Sequence, residues 1–258
     1  MLLAYEDYGP GPVVVMLHGF PLDRTMWEAQ QTTLGARYRV ITPDLRGHGE
    51  TAAPEGIYPI DEMADDVLEL LDALRLSEPI VLGGLSMGGY VALALAVRYP
   101  KRVRGLMLIN TRAGADPAEA ARGREELARQ VEAAGSAEPA VAAMLPKLFC
   151  EATRTRRADV IGRVHDRMSR TPARAVAGAL RGMARRPDRH GDLVRIAVPT
   201  LVLAGAEDQL IPLDESRRMA GAIPQAQLVV IPDAGHLAPL EDPEATNMAL
   251  LRFLDSSA

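Results

Sequence analysis

The sequence predicts an α/β protein with a mostly parallel, doubly wound sheet, and two observations lead to this fold class. Short apolar runs recur along the 258 residues, and they are continuous rather than alternating, as in strands buried on both faces of a parallel sheet. Segments with apolar residues at helical spacing lie between these runs. Strands that alternate with helices in this way are typical of βαβ units.

Six apolar runs are predicted to form the strands, and each leads into a turn-rich stretch. They cover residues 13–17, 38–44, 79–84, 104–110, 200–205 and 227–236. The clearest helical patterns between them cover residues 61–76 and 214–223. Because open α/β sheets build their sites where the strands end, functional residues are expected in the turns that follow these strands.

One interval departs from the alternation of strands and helices. Residues 111–187 contain no strand candidate, and they are rich in Ala, Arg and Glu with Gly and Pro between several helical segments. The last of these helices is predicted to have Thr171 as its N-cap and Pro172 at its first position. Since no linker flanks this helical interval, we interpret it as a helical cap inserted into a core domain formed by residues 1–110 and 188–258.

Composition and charge argue against several classes of protein. A net charge of −5 and the lack of a long basic run argue against nucleic acid as a partner. The single cysteine, Cys150, forms neither an intramolecular disulfide nor a thiolate metal cluster and is expected to be buried. No stretch has the roughly 18 apolar residues of a membrane span, and the N-terminal residues lack the features of a secretory signal. We expect a soluble, cytoplasmic protein without a membrane partner.

The segment GGLSMGGY, residues 83–90, places one serine among four glycines where a predicted strand is followed by a predicted helix. Gly84, Ser86 and Gly88 fit the G-x-S-x-G nucleophile elbow, a strained turn that exposes a serine hydroxyl above the sheet. The alternative is an ordinary turn in which Ser86 caps the helix and the glycines allow close packing. The strand before and the helix after favour the elbow.

A serine hydroxyl becomes a good nucleophile only beside a base, and His236 is the predicted base. It follows the last predicted strand and comes after Ser86, as the chain order serine, acid, histidine requires. The other four histidines precede Ser86 or lie in or beside the helical interval: His18, His48, His165 and His190. The imidazole also needs a carboxylate partner, because the carboxylate fixes its tautomer. The chain order places this acid at a strand end between Ser86 and His236. Two side chains, Glu207 and Asp208, meet this condition, whereas Asp233 is expected to cap its own turn.

Five segments resemble the α/β-hydrolase superfamily, in order and over nearly the whole chain. They read HGFPLDRTMW, PDLRGHGE, GLSMGGYVALALAVRYPKRV, LAGAEDQLIP and DAGHLAPLEDP. Within the superfamily the sequence is most similar to small esterases, to 3-oxoadipate enol-lactonase-like hydrolases and to cofactor-free haloperoxidases or perhydrolases. The resemblance implies the α/β-hydrolase fold, no metal and no organic cofactor. It also favours Asp208 as the acid, while the position that carries the acid in some relatives holds Asn110 here.

The same segments predict an oxyanion hole, which needs two backbone N–H groups aimed at the developing charge. Met87, the residue after the serine, supplies one. The loop after the first core strand supplies the other, and Phe20 is the candidate because Pro21 has no N–H. His18 and His48 are expected to be hydrogen-bonding residues of their loops.

The predicted function is hydrolysis of carboxylic esters or lactones through an acyl-enzyme formed on Ser86. Ser86 argues against haloalkane dehalogenases and epoxide hydrolases, since those relatives carry aspartate at the elbow. Two alternatives are a perhydrolase, in which peroxide replaces water, and a receptor that binds a small ligand with little turnover. The natural substrate and a homo-oligomeric state are left open.

Specificity is expected to lie in the cap and the pocket walls. The predicted substrate-binding residues are apolar: Trp27, Leu145, Phe149 and Met183. Any of these can instead belong to the core. An inward-facing cap arginine would hold a substrate carboxylate, the alternative being a solvated helix face. The candidates are Arg154, Arg156, Arg157, Arg163, Arg167, Arg170 and Arg174.

Overall fold

The computed structural model describes residues 1–256 and contains a seven-stranded sheet. The strands are β1 (Tyr5–Tyr8), β2 (Val13–Leu17), β3 (Arg39–Pro43), β4 (Ile80–Leu85), β5 (Val103–Ile109), β6 (Thr200–Gly205) and β7 (Ala226–Ile231). Their order across the sheet is β1-β3-β2-β4-β5-β6-β7, with β1 antiparallel to β3 and the other neighbours parallel. The predicted mostly parallel sheet is confirmed.

Strand β1 is the element of the sheet that the sequence did not predict. Its four residues, YEDY, are all exposed, so it contains no apolar run. Pairing with β3, in which Tyr5 lies opposite Pro43 and Tyr8 opposite Val40, holds it at the edge of the sheet. The six apolar runs, by contrast, correspond to β2 through β7. Strands β2 to β6 form the buried centre of the sheet, and β7 is its half-buried opposite edge.

Helices alternate with the strands along the chain and pack against the sheet, as in α/β folds. They are α1 (Glu28–Leu34), α2 (Ile60–Ala73), α3 (Met87–Arg98), α4 (Ala118–Ala134), α5 (Glu138–Met144), α6 (Glu151–Arg156), α7 (Ala158–Arg170), α8 (Ala173–Ala184), α9 (Leu213–Ala222), α10 (Ala238–Glu241) and α11 (Pro243–Ser256). In α2, Met63, Val67, Leu70 and Leu71 are buried, which is the one-sided spacing of an amphipathic helix. The helices predicted over residues 61–76 and 214–223 correspond to α2 and α9.

The helical interval lies between β5 and β6 and contains α4 to α8, with no strand among its described residues. Helices α4 and α8 pack against each other, and Arg181 of α8 pairs with Glu125 and Glu132 of α4. The division of the chain into a core and a separate cap stays a prediction.

Thr171 does not have its predicted role as a helix N-cap. Helix α8 begins at Ala173, and no side chain bonds to its first turn. The Thr171 hydroxyl instead donates to the carbonyl oxygen of Pro21 at 2.9 Å. The helical interval is thereby attached to the loop that follows β2.

Candidate active site

The turn between β4 and α3 has the strained geometry predicted for it. Ser86 has φ 54° and ψ −113°, a combination that non-glycine residues rarely adopt. A Cβ on Gly84 would collide with the carbonyl of Gly88, and a Cβ on Gly88 would collide with the carbonyl of Leu17. Ser86 makes no side-chain bond that caps α3. The glycines therefore permit a close approach of backbones, and the serine is not a capping residue.

Three hydrogen bonds hold Ser86 in this conformation. Its N–H donates to the carbonyl of Ile109 at 3.0 Å, and its own carbonyl accepts from the N–H of Tyr90 at 3.1 Å. The hydroxyl of Thr111 donates to the same carbonyl at 2.8 Å. A residue in so sparsely populated a region costs about 1–3 kcal/mol, and such a cost persists only where the surrounding structure fixes it.

Asp208 and His236 are hydrogen-bonded to each other at the carboxyl ends of β6 and β7. The Nδ1 atom of His236 lies 2.8 Å from Oδ2 of Asp208, and both side chains are buried. The other carboxylate oxygen, Oδ1, accepts from the N–H groups of Leu210 and Ile211 at 2.8 and 3.0 Å. Because Nδ1 is engaged by Asp208, Nε2 is the nitrogen of His236 that remains available to the cavity.

The structure distinguishes Asp208 from Glu207, which the residues alone left as alternatives. Glu207 is exposed, and its side chain accepts from the N–H of Glu151 at 3.1 Å. Burial raises the pKa of Asp208, but the charge and hydrogen bond of His236, with the donors Asn110 and Ile211, outweigh burial and hold this pKa below its ordinary value. Asp208 is therefore an ionised partner for an imidazole.

Asn110 is a buried member of this cluster to which the sequence assigned no role. It follows β5 with φ 44°, and its Nδ2 atom donates to Oδ2 of Asp208 at 2.8 Å and to the carbonyl of Gly235 at 3.2 Å. The signal in the sequence is the position of Asn110, because some members of the α/β-hydrolase superfamily carry the acid there.

The backbone of the loop after β2 is fixed by His18. Its Nε2 atom accepts from the N–H of Leu45 at 2.9 Å, so Nδ1 carries the proton that is donated to the carbonyl of Gly19 at 3.0 Å. Burial lowers the pKa of His18 to about 4, and that of His48, whose Nδ1 lies 2.9 Å from the carbonyl of Arg46, to about 3. Both histidines are therefore neutral hydrogen-bonding residues of their loops near neutral pH.

Phe20 and Met87 are the predicted oxyanion-hole residues. Phe20 is in the loop after β2, and Met87 is the first residue of α3, where a backbone N–H has no intrahelical acceptor. Within residues 1–256 neither N–H is paired with a protein acceptor.

A cavity of about 240 Å³ brings several of these residues together, since Ser86, His236 and Phe20 all line it. Met183 of α8 lines it as well. The rest of its wall is formed by Tyr90, Arg112, Asp116, Ala120, Gly123, Arg124, Leu127, Met144, Leu180, Leu210 and Ile211.

The other predicted substrate-binding residues are not in this wall. Trp27 and Phe149 are fully buried in the hydrophobic core, and Leu145 packs half-buried against it. Apolar character in the sequence does not separate a residue that faces a cavity from one that packs in the core. The seven arginines named from residues 154–174 are likewise outside the cavity wall, which instead contains Arg112 and Arg124.

The His236 loop is also attached to the helical interval. The N–H groups of His236 and Leu237 both donate to the carbonyl of Leu148, at 3.0 and 3.3 Å. Glu241 accepts from the N–H groups of Gly235 and Cys150 at 2.8 and 2.7 Å, so one buried carboxylate links the two segments.

Two negative findings concern the part of the chain that the structure describes. Among residues 1–256, no group of three or more His, Cys, Asp or Glu side chains is arranged to hold a metal ion. Over the same range, each helix is too short or too polar to traverse a bilayer.

A serine on a strained strand-to-helix turn, a buried Asp–His pair and a mostly parallel sheet together define a class of α/β enzyme folds. The family model described as alpha/beta hydrolase fold matches residues 12–243, and the chain belongs to this family. The fold and the resemblance predicted from the sequence are thereby confirmed.

Relatives in this family carry different names. The structure of a thermophilic esterase from Thermogutta terrifontis, with malate bound, superposes with a TM-score of 0.97 at 46% identity and covers 99% of this chain and 93% of that one. The 3-oxoadipate enol-lactonase 1 of Acinetobacter baylyi is 32% identical over 94% of this chain and 89% of its own. BpoC of Mycobacterium tuberculosis, whose name contains the words non-heme bromoperoxidase, is 33% identical over 98% of each chain.

Proposed function

We propose that this chain hydrolyses short carboxylic esters or lactones through an acyl-enzyme on Ser86. The observation that carries the proposal is the cavity that Ser86 and His236 share, with Asp208 bonded to the far nitrogen of the imidazole. The likeness to proteins named esterase and enol-lactonase supports the same reaction class.

In the first half-reaction the Ser86 hydroxyl oxygen attacks the carbonyl carbon, and Nε2 of His236 accepts the hydroxyl proton. The carbonyl electrons move to oxygen, and the N–H groups of Phe20 and Met87 stabilise the resulting oxyanion. The tetrahedral intermediate then collapses, the ester C–O bond breaks, and His236 gives its proton to the leaving alcohol oxygen. The acyl group is left on Ser86.

Water completes the cycle by equivalent steps, with water as the nucleophile and Ser86 as the leaving group. His236 accepts a proton from water as the water oxygen attacks the acyl carbon, and the second intermediate expels Ser86, which regains the proton. Asp208 keeps the imidazole in the tautomer that has Nε2 free, and its charge stabilises the imidazolium in both half-reactions.

The size of the cavity restricts the substrates. Pockets for drug-sized ligands measure roughly 300–1,000 Å³, and this cavity measures about 240 Å³. A small lactone or an ester with a short acyl chain is therefore the proposed substrate.

A serine-directed fluorophosphonate tests the proposal directly. It is expected to label Ser86 and to abolish hydrolysis of p-nitrophenyl acetate with the same time course. Ser216, a buried serine on α9 outside the cavity wall, should stay unlabelled. Labelling without loss of hydrolysis, or loss of hydrolysis without labelling of Ser86, would refute the acyl-enzyme.

The two rival hypotheses are a perhydrolase and a receptor that binds a small ligand with little turnover. Both can be tested on the same purified protein. Peracid formation from acetate and hydrogen peroxide that exceeds ester hydrolysis would favour the perhydrolase. Saturable lactone binding with no turnover would favour the receptor.

A further inference from the structure

We infer that the substrate carries a free carboxylate besides its ester or lactone group, and that Arg112 and Arg124 bind this carboxylate. The inference rests on the proposed function for the reacting group. It names the class of substrate, namely short half-esters of dicarboxylic acids or lactones that bear a carboxylate.

The first observation is the placement of the two arginines. Arg112 follows β5 and Arg124 lies on α4, so two separate segments of the chain bring guanidinium groups to the wall that Ser86 and His236 also line. Each side chain is only 21% exposed. Arginine side chains that serve only solubility lie on the outer surface, as Arg129 of the same helix does.

The second observation is the charge balance of this wall. Asp116 is the carboxylate of the lining next to the arginines, and it is shared by Arg186 at 2.8 Å and by Nε of Arg124 at 2.6 Å. Arg112 approaches the same carboxylate no closer than 3.7 Å. Three guanidinium groups therefore surround one carboxylate, two of them in the cavity wall and Arg186 outside it, which leaves an excess of positive charge beside the candidate nucleophile.

Glu215 does not remove this excess. Its charge acts on Arg112 from outside the cavity lining, while its own ion pairs are with Arg218 at 3.3 Å and with the His190 ring at 4.0 Å. Burial lowers the pKa of Arg112, but Tyr90, Asp116 and Glu215 outweigh it, so the group stays cationic. Even with Glu215 counted, the three arginines face two carboxylates.

The third observation is that part of the donor capacity of Arg112 is unused, although Tyr90 is a side-chain hydrogen-bond partner. Its ion pair with Asp116 is longer than a hydrogen bond, and its buried Nε atom has no acceptor within residues 1–256. The Nε atom of Arg186 is unpaired as well, but its other donors are held by the carbonyls of Met183 and Gly114, and its guanidinium stacks on the Tyr90 ring at 4.2 Å. Arg186 is a structural residue, and Arg112 is the guanidinium left for a ligand.

A carboxylate matches this arrangement chemically. Guanidinium groups present a planar set of N–H donors that fits two carboxylate oxygens, and such charge-assisted bonds are stronger than neutral ones. One added negative charge also offsets the excess positive charge of the wall. In a cavity of about 240 Å³, the carboxylate and the scissile carbonyl must belong to one small molecule.

A matched pair of substrates tests the inference: mono-p-nitrophenyl glutarate, which has a free carboxylate, and its methyl ester, which is neutral. The wild-type protein should prefer the carboxylate by at least about tenfold in kcat/KM. Arg112→Met and Arg124→Met should each lower that preference by about tenfold or more, as expected when one partner of a buried charge pair is removed. Arg129→Met, on the solvent face of α4, should leave the preference unchanged.

Several outcomes would overturn the inference. Equal kcat/KM for the two esters in the wild-type protein would do so and would leave the hydrolase intact. A preference that survives in both variants would show that Arg112 and Arg124 are not its source. If a variant fails to fold, inhibition of the wild-type protein by glutarate decides, because the inferred site requires competitive inhibition.

Failure of the proposed function is separable from failure of this inference. If neither ester is hydrolysed, calorimetric titration of glutarate into the protein still tests the carboxylate site. Binding that Arg112→Met and Arg124→Met abolish and Arg129→Met retains would support it, and no binding would contradict it.

Discussion

Asn110 and His236 bind the same oxygen of Asp208. The Nδ2 atom of Asn110 and the Nδ1 atom of His236 each lie 2.8 Å from Oδ2, while backbone N–H groups occupy Oδ1. Because Asn110 also donates to the carbonyl of Gly235, one amide fixes the acid and the residue next to the imidazole. We therefore interpret Asn110 as a positioning residue for the Asp208–His236 pair.

Replacing Asn110 should lower kcat and leave KM nearly unchanged, because its amide does not line the cavity. We expect a loss of about 10- to 100-fold for Asn110→Ala, from one hydrogen bond to a charged group. Asn110→Gly is the matched variant, since glycine adopts the positive φ of this position without strain. A similar loss in both variants assigns the effect to the amide, whereas wild-type turnover in Asn110→Gly would assign it to backbone strain.

Removing the hydroxyl of Ser86 should abolish ester hydrolysis without unfolding the protein. Ser86→Ala is expected to lower kcat by about 10⁴-fold or more, because no other group on the turn can form the acyl-enzyme. Steady-state kinetics and circular dichroism measure the two effects. Ser216→Ala removes a buried hydroxyl that has no hydrogen-bond partner within residues 1–256, and it should keep full activity.

The acid assignment is tested by a pair of neighbouring amide substitutions. Asp208→Asn should cost about 10⁴-fold in kcat, since an amide can stabilise the wrong imidazole tautomer. Glu207→Gln, one residue earlier and exposed, should have little effect. A reversal of the two results would show that Glu207 is the acid.

Acyl-chain preference should depend on Met183. Met183→Ala enlarges the cavity, so the ratio of kcat/KM for p-nitrophenyl octanoate to that for the acetate is expected to rise by about tenfold. The control is Met168→Ala, since Met168 is equally buried on α7 but lies outside the cavity wall. This variant should lose stability and keep the wild-type ratio. A change of ratio in Met168→Ala alone would contradict the location of the pocket.

The two buried histidines should make the fold sensitive to acid. Their pKa values in the folded protein, about 4 for His18 and about 3 for His48, lie below the ordinary value of 6.5. The unfolded chain therefore binds more protons below pH 6.5, and the free energy of unfolding falls as the pH drops from 6.5 toward 3, by up to about 1.4 kcal/mol per pH unit for each histidine.

Urea unfolding at pH 7.5, 5.5 and 4.5 measures this dependence. His48→Gln carries no titrating group at that position, so its stability should depend less steeply on pH than that of the wild type. The control is His165→Gln, because His165 lies on α7 with 44% of its side chain exposed. Equal slopes for the wild type and His48→Gln would contradict the prediction.

The sequence predicted the parts of the fold that depend on apolar periodicity or on a local motif. Strands β2 to β7, the strained turn at Ser86 and the histidine after the last strand follow from patterns of adjacent residues. Strand β1 could not be predicted in this way, because an exposed edge strand is specified by backbone pairing with β3 and not by its side chains.

The cavity wall was the least predictable part, for a similar reason. Trp27 and Phe149 are of residue types that often line pockets, but they pack in the core. Arg112 and Arg124, by contrast, reach the cavity from segments without a recognisable motif. Which side of a helix or loop faces an internal space is decided by tertiary packing, and residue type alone does not encode it.

The two attachments of the helical interval bear on how such proteins diverge. Leu148 holds the backbone of His236, and Thr171 holds the carbonyl of Pro21, next to Phe20. Residues 111–187 therefore bond to two loops of the candidate site as well as lining the cavity. A chimera that received this segment from a relative would inherit a new cavity wall and, at both junctions, new contacts to the loops that carry His236 and Phe20. Under the proposed function, a change of substrate would then require catalysis to be readjusted at the same time.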